Sequence, residues 1–301
     1  MTMTRAMAVF ACACAFSLTV PAADVRAQDD DAPPSVEARI TSVDGEVTVL
    51  YHDHGEDWVA ADEDAPLEPG DMLKTGGGAH AEICLDGDSV IELGSDSQLE
   101  ITDLARKEPV FSLSVGSLLA KIRSLVKAKR SLSVRTTNAV ASVRGTEFGV
   151  ETGGPDGLTY VAVFNEGRVE VRDVGGMGRA TVWENQETTV REGEKPSPPK
   201  SLDRFAAHRV RVQNLRARVK QLKEDWEPAS RETRAETRLL LREWGGKLQK
   251  KLHSKLSGRK LSPEERERIR DKIRREFREE RRREQQHREA GPKRSPSSRR
   301  N

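Results

Sequence analysis

Short runs of alternating apolar and polar residues fill residues 38–191, and this alternation constrains the fold more than any other feature. The clearest run is residues 43–50, VDGEVTVL, and turn sequences such as Asp86-Gly87 separate one run from the next. Side chains alternate between the two faces of a β-strand, so such runs predict short, half-buried strands. We expect a mainly β domain, built as a twisted two-sheet sandwich that is partly solenoid-like.

A different periodicity begins after residue 202. Apolar residues between Phe205 and Trp226 follow alternating spacings of three and four, which is typical of a coiled-coil stripe. Pro228 ends this predicted helix, a second helix carries Leu241 and Trp244, and Ser262-Pro263 begins a third. The sequence therefore predicts an α-helical, charged C-terminal region.

The first residues have the features of an export signal. Arg5 supplies a positive charge, residues 6–20 are apolar but too few to span a bilayer comfortably, and Pro21 ends that run. Cleavage before Gln28 is favoured, and an uncleaved anchor is the alternative. We expect an exported chain that is periplasmic or extracellular. Peripheral attachment to a membrane is compatible with either location. Without the signal, Cys84 is the one remaining cysteine, so no internal disulfide is expected.

These patterns divide the chain into parts. They are a signal peptide (1–27), a flexible lead-in (28–37), the β domain (38–192), a proline-rich linker (193–202), a helical or coiled-coil region (203–280) and a basic disordered tail (281–301).

The net charge of +2 hides a strong division between these parts. Residues 29–202 contain 17 basic and 32 acidic residues, a net charge of −15, whereas residues 203–301 contain 32 basic and 16 acidic residues, a net charge of +16. Such asymmetry indicates regions with different partners.

Several short motifs occur in an order that resembles the FecR family of ligand-sensing domains, over residues 38–192. They are residues 43–49 (VDGEVTV), Trp58, and residues 69–75 (PGDMLKT), 81–89 (AEICLDGDS), 94–99 (GSDSQL), 113–118 (LSVGSL), 134–136 (VRT), 143–148 (VRGTEF) and 165–171 (NEGRVEV). The family signature residues are Gly70, Asp71, Arg144, Gly145, Thr146, Glu147 and Phe148. A structural role is favoured for them, with Arg144 as a buried guanidinium bonded to strand-end carbonyls or to Glu147, and a binding role for Arg144 and Glu147 is the alternative.

The resemblance implies recognition outside the cytoplasm. Regulatory members of the family also carry a cytoplasmic domain and one membrane helix, and they pass a transport receptor's signal to a sigma factor. This sequence contains neither part once the signal is removed, so we expect a free-standing module without direct anti-sigma function.

His52 and His54 are the candidate metal ligands, because alternate residues of an extended segment face one side and a nearby carboxylate can complete a site. Ordinary polar loop residues are the alternative. No HExxH, GxSxG or phosphate-binding glycine loop occurs in context, so neither an enzyme nor a cofactor is expected.

The basic helices admit several interpretations. They can self-associate through the apolar stripe, lie on an anionic surface, contact the acidic β domain of their own or another chain, or remain solvated without a partner. Candidate basic-surface residues are Arg274, Arg275, Arg278, Arg281, Arg282 and Arg283. No nucleic-acid partner is expected of an exported chain.

The sequence thus indicates a non-enzymatic exported binding or scaffolding protein of the cell envelope. Its FecR-like domain recognises a protein or glycan, and its basic helices serve assembly or surface attachment. The alternative is a periplasmic accessory of receptor and sigma-factor signalling.

Overall fold

A computed structural model describes residues 35–53, 55–105, 107–123 and 131–256, and also 265, 268, 269, 272, 273, 275–277, 279, 280, 282 and 283. The predicted signal peptide, most of the lead-in and most of the basic tail lie outside these residues, as do His54, Arg274, Arg278 and Arg281.

The described residues form seventeen strands followed by helices. The strands are β1 (Ala38–Asp44), β2 (Val47–Leu50), β3 (Val59–Ala60), β4 (Pro66–Leu67), β5 (Met72–Thr75), β6 (His80–Leu85), β7 (Ser89–Leu93), β8 (Gln98–Asp103), β9 (Val110–Lys121), β10 (Leu132–Arg135), β11 (Ala139–Val143), β12 (Glu147–Thr152), β13 (Leu158–Val163), β14 (Arg168–Asp173), β15 (Arg179–Trp183), β16 (Gln186–Arg191) and β17 (Lys200–Ser201). A 3-10 helix (Arg204–His208) leads into α1 (Arg209–Asp225), and α2 (Arg231–Leu256) follows. The described residues between 265 and 283 are also helical.

The strands form two sheets that share β9. The first sheet has the order β4-β1-β6-β7-β9-β12-β13-β16-β17. The second has the order β3-β2-β5-β8-β9-β10-β11-β14-β15. Neighbouring strands are antiparallel except β9 and β10, which are parallel. The predicted fold class, a mainly β domain followed by a helical region, is confirmed.

Gly116 is the point at which β9 passes from one sheet to the other. Residues 110–115 pair with β8 in the second sheet, whereas residues 116–121 pair with β12 in the first. Gly116 has a φ of +97°, and a Cβ atom there would lie 2.5 Å from the Cα atom of Ser97. Only glycine fits both the backbone angle and the close approach.

The core lies between the two sheets. Ile83 and Ile91 enter it from the first sheet, and Leu73 and Leu99 enter it from the second, all fully buried. Removal of this apolar surface from water is the main force that holds the sheets together.

Helix α1 covers the outer face of the first sheet. The buried apolar residues of the 3-10 helix and α1 are Phe205, Val212, Leu215 and Leu222, and they pack on Cys84, Val90, Leu119, Ala162 and Phe164. The rings of Phe205 and Phe164 meet edge to face, with centroids 6.3 Å apart. The predicted apolar stripe is therefore present, but in this structure it packs on the sheet of its own chain instead of forming a coiled coil.

Helix α2 closes one edge of the sandwich, where it packs on β3 and β4. Leu241 enters the main core, and Trp244 meets Phe277 of the following helical residues edge to face, with centroids 5.7 Å apart. None of the described helices is long and apolar enough to cross a membrane.

The predicted linker and tail differ from the structure in detail. Ser197 donates its backbone N–H to the carbonyl of Thr189 at 2.9 Å, and Lys200–Ser201 pairs with β16, so this segment runs along the sheet. Its prolines cannot donate N–H groups, which limits the pairing to these few residues. Arg282 and Arg283, which we predicted to lie in the disordered tail, are helical. Arginine is a good helix former.

We predict that Gly116→Ala lowers the free energy of unfolding by about 1–3 kcal/mol through strain and overpacking. Urea unfolding measures the change. Gly78→Ala is the matched control, because Gly78 also has positive φ but has open space around the Cβ position. An equal loss in both variants would show that the passage of β9 between the sheets does not depend on Gly116.

Candidate functional site

Asp71 is the centre of a buried polar cluster at the start of the second sheet's β5. Its side chain is inaccessible to solvent, and it accepts backbone N–H groups from His52 at 3.0 Å and from Glu68 at 2.8 Å. The Nδ1 atom of His52 also lies 3.0 Å from Oδ1 of Asp71. Gly70 allows this arrangement, because a Cβ atom there would lie 2.8 Å from that of His52.

Arg238 of α2 supplies the positive charge for this cluster. Its guanidinium binds both carboxylate oxygens of Asp71 and donates to Asp53 at 2.7 Å, and it lies 4.6 Å from the ring centre of Tyr51. Burial alone would lower the pKa of Arg238, but the hydrogen bonds and charges of Asp71 and Asp53 raise that pKa above its usual range. Arg238 is therefore held charged in the interior.

The predicted metal site falls on the same cluster. His52, Asp53 and Asp71 present ligand atoms within 4.8 Å of one another, the one such group found among the described residues. His54 lies outside those residues. The guanidinium of Arg238 already binds both carboxylates, so a metal ion would have to displace a buried cation. This geometry favours charge pairing over metal binding.

Glu147 is a second buried carboxylate with an arginine from the helices. Arg216 of α1 binds both of its oxygens, Asn165 donates to it at 3.2 Å, and the Nζ atom of Lys121 lies 3.5 Å away. Burial alone would raise the pKa of Glu147, but these partners lower that pKa below its ordinary value. The carboxylate is thus ionised inside the protein.

The positions of Arg144, Thr146 and Phe148 agree with our expectations except for Arg144. Arg144 is exposed, although we predicted it to be buried and bonded to strand-end carbonyls or to Glu147. Arg216 binds Glu147 instead. The hydroxyl of Thr146 donates to the carbonyl of Arg168 at 3.1 Å, and Phe148 lies in the core. Motif spacing could not identify Arg216, because α1 lies far along the chain; the opposite charges of the two halves were the available signal.

Six arginines of the helical region bind acidic residues of the β domain, and we call them the arginine clasp. The pairs are Arg204–Glu151, Arg211–Glu92, Arg216–Glu147, Arg218–Glu82, Arg234–Glu68 and Arg238–Asp71. Some of the opposite charges of the two regions therefore meet at an interface within one chain.

Three of the candidate basic-surface residues are among the described residues, and none of the three belongs to the clasp. Arg275, Arg282 and Arg283 are exposed on the helical residues after α2. Arg282 lines an open cavity of about 410 Å³ between the β domain and the start of α2, and Arg283 lies 4.0 Å from Glu279.

Cys84 behaves as an ordinary strand residue. Its side chain is buried beneath α1, and burial raises the pKa of the thiol to about 12. A thiol with such a pKa is protonated at neutral pH and is a poor nucleophile. The buried carboxylates Asp71 and Glu147, by contrast, each pair with an arginine of the helices.

We predict that Arg238→Met lowers the free energy of unfolding by about 3–5 kcal/mol, because Asp71 is left charged and buried. Chemical denaturation measures this loss. The double variant Asp71→Asn with Arg238→Met is expected to recover part of it. The exposed control Arg283→Met should change stability by less than about 0.5 kcal/mol; a similar value for Arg238→Met would contradict the role of the clasp.

We also predict that the stability difference between the wild type and Glu147→Gln depends on pH. The folded-state pKa of Glu147 lies below its ordinary value of 4.5. The resulting stabilisation is fully present above that ordinary value and is lost as the pH falls through the folded-state pKa. Urea unfolding at neutral pH and in acid tests this, with exposed Glu194→Gln as the control. A constant difference over that range would contradict the assignment.

The chain is similar to a known protein family over part of its length. The FecR protein family model matches residues 71–170, which begin at Asp71 and include Glu147. No curated protein sequence matches the chain. Two crystal structures of a candidate anti-sigma factor from Parabacteroides distasonis, at 2.50 and 1.65 Å resolution, are similar to it at 20% identity and a TM-score of 0.39. Each match covers 45% of this chain and 62% of that protein. The FecR match thus rests on residues 71–170 of the chain.

Proposed function

We propose that this chain is a non-enzymatic, exported protein of the cell envelope whose FecR domain recognises a protein partner in a signalling-related role. One observation carries the proposal: the helices cover the outer face of the first sheet, whereas exposed polar side chains line the outer face of the second. An uncovered sheet face on a rigid sandwich is suited to recognition. The signal-like residues 1–27 support export.

A protein partner is favoured over a glycan. Strand β15 lies at the edge of the second sheet and pairs with β14 alone among the described strands. The main-chain groups along such an edge match those of another peptide strand. The proposed role is that of an accessory to receptor or sigma-factor signalling, reached through contact with another envelope protein.

Attachment to an anionic surface is a second candidate function. Arg275, Arg282 and Arg283, with Lys250 and Lys255 of α2, are exposed and lie outside the arginine clasp. Each basic residue close to an anionic membrane contributes about 1 kcal/mol to binding. Self-association through the apolar stripe has less support, since that stripe is buried against the sheet of its own chain.

Cross-linking of the chain in intact cells, followed by reconstitution with the purified cross-linked protein, tests the proposed function. We expect saturable binding to one envelope protein, with the cross-linked chain lacking residues 1–27. Recovery of the unprocessed chain from the cytosol, or cross-links to glycan alone, would contradict the proposal. In the reconstitution, purified chain that has been heat-unfolded is the control for non-specific binding.

A further inference from the structure

The outer face of the second sheet is rich in arginine near β15, although the β domain as a whole is acidic. Strands β10, β14 and β15 carry the exposed residues Arg135, Arg168, Arg172 and Arg179, and exposed Arg144 follows β11. We call these five residues the arginine face. They belong to residues 29–202, whose net charge is −15.

Few carboxylates oppose this positive charge. Strands β10, β11, β14 and β15 contain two acidic residues, Glu170 and Asp173. Asp173 is buried, and its carboxylate accepts the amides of Met177 at 2.9 Å and Gly178 at 2.6 Å. On the face itself, Glu170 is partly exposed, with its Oε1 atom 3.6 Å from Nε of Arg172, and Glu100 of β8 lies in the same row as Arg135, on the far side of Ser112 of β9.

The strand register places like charges directly opposite each other. Arg172 of β14 pairs with Arg179 of β15. In the same row across the sheet, Val140 lies opposite both Arg172 and Arg135. The row spans four strands, or about 14 Å. Opposed like charges destabilise a sheet, so this row is better suited to binding an anion than to holding the fold together.

Exposed apolar side chains lie beside the arginines. Trp183 is 51% exposed and is paired with Arg168, whose guanidinium lies 5.3 Å from the ring centre. Val174 and Met177, in the turn between β14 and β15, are more than half exposed. Aromatic residues beside arginine are the types that most often dominate the energy of a protein interface.

We propose that β15 receives an extended acidic segment of a partner protein, which adds a strand to the second sheet and places carboxylates over Arg172 and Arg179. This inference rests on the proposed function and names the partner's chemistry. Main-chain hydrogen bonds along β15 supply affinity, and side chains at alternate positions face the arginines. The positive charge rejects basic strands and so gives specificity.

A labelled ten-residue peptide of alternating Glu and Thr is the probe, with fluorescence anisotropy as the readout. The purified chain is expected to bind it, more weakly as salt increases. Arg172→Glu with Arg179→Glu should weaken binding by about tenfold or more. Lys250→Glu with Lys255→Glu makes the same charge change on α2 and should leave binding unchanged. Equal losses in both double variants would overturn the proposal.

A second peptide tests strand addition itself. It keeps the Glu and Thr side chains but is N-methylated at every backbone amide, so it retains its charge and lacks all of its N–H donors. We expect no measurable binding of this peptide. Binding equal to that of the first peptide would exclude pairing along β15.

Thermal unfolding separates binding from stability. Because Arg172 and Arg179 repel each other, Arg179→Thr is expected to keep or raise the melting temperature while it weakens peptide binding. A fall in melting temperature with unchanged peptide binding would show a structural role and would overturn the inference.

Two further experiments distinguish this inference from the functions proposed above. If the Arg172→Glu, Arg179→Glu variant binds the cross-linked envelope protein as well as wild type does, the arginine face does not bind that partner. The inference is then wrong, while the proposed function stands. Phosphatidylglycerol vesicles test surface attachment, which should be weakened by the Lys250→Glu, Lys255→Glu variant. Vesicle binding that depends on the arginine face, without peptide binding, would overturn the inference.

Discussion

The structure depends on the need to neutralise two carboxylates inside the FecR domain. Asp71 and Glu147 are both inaccessible to solvent, and each belongs to a family motif. An unpaired buried carboxylate is very costly, so each needs a cation with good geometry. Arg238 and Arg216 meet that need, and both lie outside residues 71–170. The sheets and the helices therefore stabilise each other.

This dependence explains the positions of the helices. The 3-10 helix and α1 bury an apolar stripe on the first sheet, and the same elements bring Arg204, Arg211, Arg216 and Arg218 to acidic residues around it. Helix α2 packs on the edge formed by β3 and β4, and it brings Arg234 and Arg238 to Glu68 and Asp71. Apolar burial supplies the main energy, and the arginine pairs fix which face is covered. The outer face of the second sheet is not covered by these helices, and its exposed arginines are available to the acidic partner strand that we propose.

Local patterns predicted much of this architecture, because strand alternation and helix periodicity depend on neighbouring residues. The stripe that contains Leu215 is present, but the alternating run at residues 43–50 is divided by a turn at Gly45, which has positive φ, between the end of β1 and β2. The partner of Glu147 was predicted wrongly, since Arg144 is adjacent in sequence but exposed in space. His52, predicted as a candidate metal ligand, lies in the polar cluster around Asp71, whereas Arg238 was not predicted there, because it comes from a distant helix.

The amino-acid sequence by itself determined the two-part organisation, the element types, the separation of charge and the family motifs. Each of these follows from composition or from the period of side chains along the chain. Only the tertiary structure decided that the basic helices bind the acidic domain of their own chain, and that Arg172 and Arg179 face each other on an open sheet. Pairing of distant residues depends on strand register and helix docking, which no local pattern encodes.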